Sequence, residues 1–132
     1  MKDKISGTYK TTHWNEQEYS QVDGGPRLTV AEQESTIEGG IQGKGILRYS
    51  FVWMAGGFNL FTGHVSITGR VGDREGSFVV EDSGTANADK ASGTWKIIAG
   101  SASGDLAGLK GSGSWKWEKA SQDVAYSLTY EL

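Results

Sequence analysis

The 132-residue chain has no cysteine and a single proline, Pro26. Without cysteine there is no disulfide framework, no thiolate nucleophile and no thiolate-held metal. One proline beside 20 glycines in no Gly-X-Y register excludes a collagen-like chain. Glycine is left to turns, bulges and close backbone approaches. Excess positive charge is missing too: 13 Lys and Arg stand against 16 Asp and Glu, a net charge of −3. No nucleic-acid partner is expected from that balance. Long apolar runs are absent, and the most apolar stretch, 46–61, is broken by Arg48, Ser50, Gly56-Gly57 and Asn59. It is too short and too interrupted to cross a bilayer. The segment Met1-Lys2-Asp3-Lys4-Ile5-Ser6 lacks the apolar core of a signal peptide. Together these features predict a cytoplasmic protein with no membrane partner. Helical periodicity is the last absence: no glycine-free window of a dozen residues carries apolar side chains at i, i+3, i+4 and i+7.

Alternation takes its place. Val124, Tyr126, Leu128, Tyr130 and Leu132 alternate with Ala125, Ser127, Thr129 and Glu131. Leu47, Tyr49, Phe51 and Trp53 alternate with Arg48, Ser50, Val52 and Met54. Shorter runs carry Phe78 and Val80, Trp95 and Ile97, and Trp115 and Trp117 on one parity. Ile5, Tyr9 and His13 share a parity in the first run, opposite Thr8, Lys10 and Trp14. Period two means one buried and one solvated face. Turn candidates at 23–26, 38–40, 55–57, 69–73, 87–90, 100–108 and 120–123 divide these runs. The pattern predicts one all-β domain over residues 1–132. It is a closed or nearly closed antiparallel barrel of about eight strands, with almost no helix. Closure is favoured because several strands are long and their edges need partners. A β-sandwich is the alternative. Parity sends Phe78, Trp95, Trp115, Tyr126 and Leu128 to the core.

Five segments carry a resemblance: His13-Trp14-Asn15-Glu16, Asp23-Gly24-Gly25-Pro26-Arg27-Leu28-Thr29, Glu75-Gly76-Ser77-Phe78-Val79-Val80, Gly93-Thr94-Trp95, and Ser103-Gly104-Asp105-Leu106-Ala107-Gly108-Leu109-Lys110-Gly111. In this order they resemble a bacterial family catalogued as a domain of unknown function, with a small barrel like that of allene oxide cyclase (calycin-like). The resemblance covers nearly the whole chain and implies the barrel. It implies no activity, because the family has none established. The chain departs from the pattern at Arg48 and Val65, where relatives are expected to carry an acid in the middle strands.

Candidates for chemistry are few. His13, on the parity of Tyr9, would look into the barrel or sit at its mouth, where an imidazole beside a carboxylate shuttles protons near neutral pH. A bond from its ring to a backbone carbonyl is the structural alternative. His64 shares its face with Thr62, Ser66 and Thr68 and is assigned to solvent. The two histidines show no metal-ligand spacing, so neither a metal site nor a cofactor is expected. Asp82 follows Phe78 and Val80 on the inward parity, where burial would raise its pKa. The Ser83-Gly84 that follows inclines the reading to a turn. Glu16 either touches a ligand or closes the barrel end through backbone N–H groups. The facing of Glu32 and Glu34 is unresolved, because both parities of that run carry apolar residues.

Five Trp, five Tyr and four Phe exceed what a compact aliphatic core needs. Rings on inward faces would either line a pocket for a flat, partly apolar molecule or fill the barrel outright. Trp14, Tyr49, Trp53 and Tyr126 are the ligand-contact candidates. His13, Glu16 and Asp82 are the candidate catalytic groups. Three functions follow: a barrel binding a small organic ligand, a cofactor-free isomerase or cyclase working by confinement, and a filled structural module. Self-association is left open.

Overall fold

Each alternating segment has one apolar face to hide, and joining every strand to two neighbours hides all these faces in one interior. The computed structural model, which describes residues 2–132, does this. The strands are β1 (Asp3–Gln21), β2 (Arg27–Gly39), β3 (Ile41–Met54), β4 (Phe58–Val71), β5 (Arg74–Asn87), β6 (Lys90–Ile97), β7 (Ser103–Gly104), β8 (Lys110–Glu118) and β9 (Val124–Glu131). Eight of them form an antiparallel ring in the order β1-β2-β3-β4-β5-β6-β8-β9, closed by the pairing of β9 with β1. The two-residue β7 adds a rung to β5. The predicted barrel is the observed architecture: one nearly closed ring in place of the two separate sheets of a sandwich. No helix long and apolar enough to cross a membrane occurs among the described residues.

Inside and outside follow the period. On β3, Leu47, Tyr49 and Phe51 are buried while Arg48 and Ser50 face out. On β2 the inward set is Thr29, Ala31, Gln33, Ser35 and Ile37. Glu32 and Glu34 therefore face outward, which sequence parity left undecided. Across the outer wall, register aligns Glu32, Arg48, His64, Glu81 and Lys96 in one row over five strands. Opposite charges alternate along most of it, the favoured cross-strand arrangement. The two departures from the family pattern separate here. Arg48 belongs to this outer row, and Val65 is buried in the core.

The two barrel ends differ. At one end the chain from β6 to β8 folds inward and places Leu106 and Leu109 in the interior, at 0% and 1% exposure. Backbone bonds hold it: Asp105 N–H donates to Glu75 C=O at 2.9 Å, and Leu109 N–H to Leu106 C=O at 3.0 Å. The glycine-rich Ser103–Gly111 segment is therefore a stopper. At the same end Tyr126 is buried, its hydroxyl donating to Glu38 C=O at 2.7 Å and accepting from Ile41 N–H at 2.9 Å. Gly39 turns the adjacent β2–β3 corner at φ +94°, where a Cβ would lie 2.6 Å from Gly7 Cα.

At the other end the ring is incomplete. β1 pairs with β9 only from Asp3 to Tyr9, whereas its pairing with β2 continues to Gln21. The upper half of β1 thus has one free edge. Between Thr11 and His13 the β1–β2 register slips, so Thr12 is an extra residue. Such a bulge reverses which side chains face in. His13 consequently pairs with outward Glu34, while Trp14 pairs with buried Gln33 and Glu16 with buried Ala31. The inward placement of His13 is corrected by this bulge: its side chain is exposed. Asp82 needs a correction as well, away from a turn. β5 continues through Ser83 and Gly84 to Asn87, and Asp82 is a mid-strand residue with 0% exposure.

Candidate functional site

The interior has a filled half and a hollow half, and Asp82 lies on the boundary. Its carboxylate accepts three hydrogen bonds: from Tyr49 Oη at 2.5 Å, Trp115 Nε1 at 2.8 Å and Trp95 Nε1 at 3.2 Å. Indole nitrogens can only donate, so an acidic side chain is the acceptor that suits two of them together. Gly93 on β6 makes room for this cluster, because a Cβ there would lie 2.5 Å from Trp115 Nε1 and 2.7 Å from Asp82 Oδ1. Burial pushes the Asp82 carboxyl above the usual carboxylate range, and the bonds from Tyr49, Trp115 and Trp95 draw it partly back. Burial first, then the Asp82 charge, holds the phenols of Tyr9 and Tyr49 well above their ordinary value.

Above this cluster is a cavity of about 420 Å³, open at the incomplete end of the ring. Tyr9, Tyr49 and Trp115 reach it from the buried layer, while Phe51 and Phe61 line its wall. These rings brace one another: Tyr49 meets Phe61 edge-on at 5.5 Å between centroids, and Phe61 stacks with Trp115 at 5.6 Å. Trp14 and Trp117 stand towards the mouth, and Ala86 and Ala91 leave space between them. Polar atoms are sparse, coming from Thr11, Gln33, Gln122 and the two phenols. Among the described residues no Asp, Glu, Lys, Arg or His lines the space.

A second carboxylate sits beside the mouth. Glu16 accepts from Thr29 Oγ1 at 2.7 Å and from Trp14 Nε1 at 3.2 Å, while Trp53 Nε1 donates to Thr29 Oγ1 at 3.0 Å. Its partners are therefore side chains, in place of the backbone N–H groups that the sequence reading offered. Arg27 lies 4.9 Å from the centroid of the Trp53 ring and 3.5 Å from Glu18, extending the chain of contacts outward. The effect is to fix the β1–β2 arm and hold the Trp14 indole, 6.0 Å from the Phe51 ring.

The structure thus distributes the sequence candidates unequally. Trp14 and Tyr49 line the cavity. Trp53 braces the arm behind it, and Tyr126 is pinned at the stoppered end, so neither contributes to the lining. Asp82 and Glu16 hold lining residues in place without lining the space themselves. His13 and His64 face outward. Gln33 and Thr11 were missed. The parity shared by Ala31 and Ile37 contained the signal for Gln33, but polar side chains on that face and Val30 on the other concealed it. No group of three or more His, Cys, Asp or Glu that could hold a metal occurs among the described residues.

Comparison with known proteins gives a family without an activity. A family model described as "Protein of unknown function (DUF3224)" matches residues 5–130. Among solved structures, a protein of unknown function from the same family in Shewanella oneidensis MR-1 is similar over 100% of this chain and 98% of that one. Its sequence identity is 18% and the TM-score is 0.81, a likeness of fold. No curated protein matches the chain.

Proposed function

We propose, from the premise that this chain belongs to the DUF3224 family of proteins of unknown function, that the barrel binds a small, partly apolar organic molecule at its open end. The observation that carries this reading is the cavity of about 420 Å³ above the Asp82 cluster, walled by rings held by one another. Its size falls within the range of about 300–1,000 Å³ typical of small-molecule sites, and apolar walls with few polar atoms are their usual lining. A ligand entering such a space exchanges water contact for ring faces, which favours binding roughly in proportion to the apolar area removed from water. Acid–base catalysis has less support: Asp82 is spent on three donors beneath the cavity, and the imidazoles point away from it.

Titration with a neutral apolar fluorophore, N-phenyl-1-naphthylamine, tests the reading. Binding is expected to quench tryptophan emission and to raise the melting temperature with ligand concentration, by about 2.7 kcal/mol of stability at a hundred times Kd. Ala91→Phe, which occupies the space between the walls, should abolish both effects while the variant still folds. Binding that survives this substitution would place the ligand elsewhere, and no binding to the parent protein would end the proposal.

A further inference from the structure

We propose that the cavity selects uncharged, planar ring compounds of the lactam class, whose adjacent N–H and C=O are read by the side-chain amide of Gln33. This inference rests on the cavity being a binding site. Gln33 lies on the inward face of β2 between Ala31 and Ser35, and only 5% of it is exposed. In register it stands between Trp14 of β1 and Leu47 of β3. Its side chain lines the cavity, yet among the described residues no protein hydrogen bond holds its amide. Two nearby inward polar groups are committed elsewhere: Thr29 bonds Glu16 and Trp53, and Asp82 takes its three donors. The Gln33 amide is not among the sealed, partnerless side-chain groups, so it opens on the cavity, where its donor and acceptor are available to the occupant.

The chemistry of that occupant follows from the lining. A primary amide presents one acceptor and one donor side by side, which match the donor and acceptor on the edge of a cyclic amide. The ring faces of Trp14, Phe51 and Phe61 offer the stacking surface for the rest of the molecule. Among the described residues no ionised side chain lines the space to compensate a ligand charge, and the phenols of Tyr9 and Tyr49 stay protonated at neutral pH. A neutral ligand therefore sheds the least hydration on entry.

The test compares 2-quinolinone with N-methyl-2-quinolinone, which keeps the rings and carbonyl but loses the N–H, by calorimetry on the full chain and on Gln33→Leu. The parent protein is expected to bind 2-quinolinone about tenfold more tightly, the discrimination that one buried hydrogen-bonding partner supplies. In Gln33→Leu the two affinities should converge, and the melting temperature of the free variant should equal or exceed that of the parent. Gln33→Met provides the same comparison if the branched side chain packs poorly. Equal affinities in the parent protein, or discrimination that persists in both variants, would overturn the lactam assignment and leave the cavity reading standing. A large loss of stability in both variants would show that the amide has a structural partner, and would overturn it too. Failure of both quinolinones and N-phenyl-1-naphthylamine to bind would remove the cavity reading along with it.

Discussion

Asp82 shows how one residue type governs its surroundings. A neutral acceptor such as asparagine would offer its oxygen to Trp115 but turn an NH2 towards the Trp95 indole or the Tyr49 hydroxyl. Asp82→Asn is therefore expected to cost about 1–3 kcal/mol, the usual penalty for a buried donor left unpaired. The denaturant midpoint should fall at constant m-value. The pH dependence is a second check. Because burial outweighs the hydrogen bonds, the folded carboxyl holds its proton more tightly than the unfolded one. Its contribution to stability is then full below the unfolded pKa and declines as pH rises through the folded value. The stability gap between the parent and Asp82→Asn should narrow as pH rises from about 4 through that window. A gap that widens would mean that the three hydrogen bonds, not desolvation, dominate.

At the scale of the element, β1 is the unusual strand. Its first residues pair with β9 alone, Gly7–Tyr9 pair with β9 and β2 together, and its upper half pairs with β2 alone. Thr12 adds the bulge that exchanges inside for outside, giving the cavity a tryptophan where unbroken alternation would have given it a histidine. Hydrogen exchange should report this division. Amides of Thr11–Gln21 that point to the free edge are expected to exchange well before those of Gly7–Tyr9, since opening them breaks no second ladder. Equal protection along the strand would mean that another surface covers that edge.

Over the whole molecule, the barrel is closed by side chains at one end and left hollow at the other. Leu106 and Leu109 occupy the stoppered end, separated from the cavity by the layer that contains Asp82. Leu106→Ala should cost about 2–5 kcal/mol, as large-to-small changes in a packed interior do. It should leave the affinity for N-phenyl-1-naphthylamine unchanged if the variant is assayed well below its melting temperature. A variant that retains stability but loses the probe would show that the ends communicate through the core.

The strands were legible because alternation is local, while their closure was favoured only by strand length and by the family resemblance, with a sandwich as the alternative. Val124 to Leu132 or Leu47 to Trp53 has to bury one side of a pleat wherever its partners lie. The aromatic interior was legible for the same reason, and Phe78, Trp95, Trp115, Tyr126 and Leu128 are all buried. Parity stops being reliable where one inserted residue or a polar inward side chain intervenes. The bulge at Thr12 misplaced His13, Ser83-Gly84 made Asp82 resemble a turn, and Gln33 was hidden among polar neighbours. Division of the interior into a packed half and a hollow half was undecided by sequence. Whether rings meet or stand apart depends on where eight separate strands set them around the ring, and on small residues such as Gly93 and Ala91 opposite them. Sequence alone determined an all-β chain rich in inward rings, since period two and composition act within each strand. The cavity, its neutral lining and the unpaired amide within it were decided by tertiary structure, because each depends on distances between residues remote in the chain.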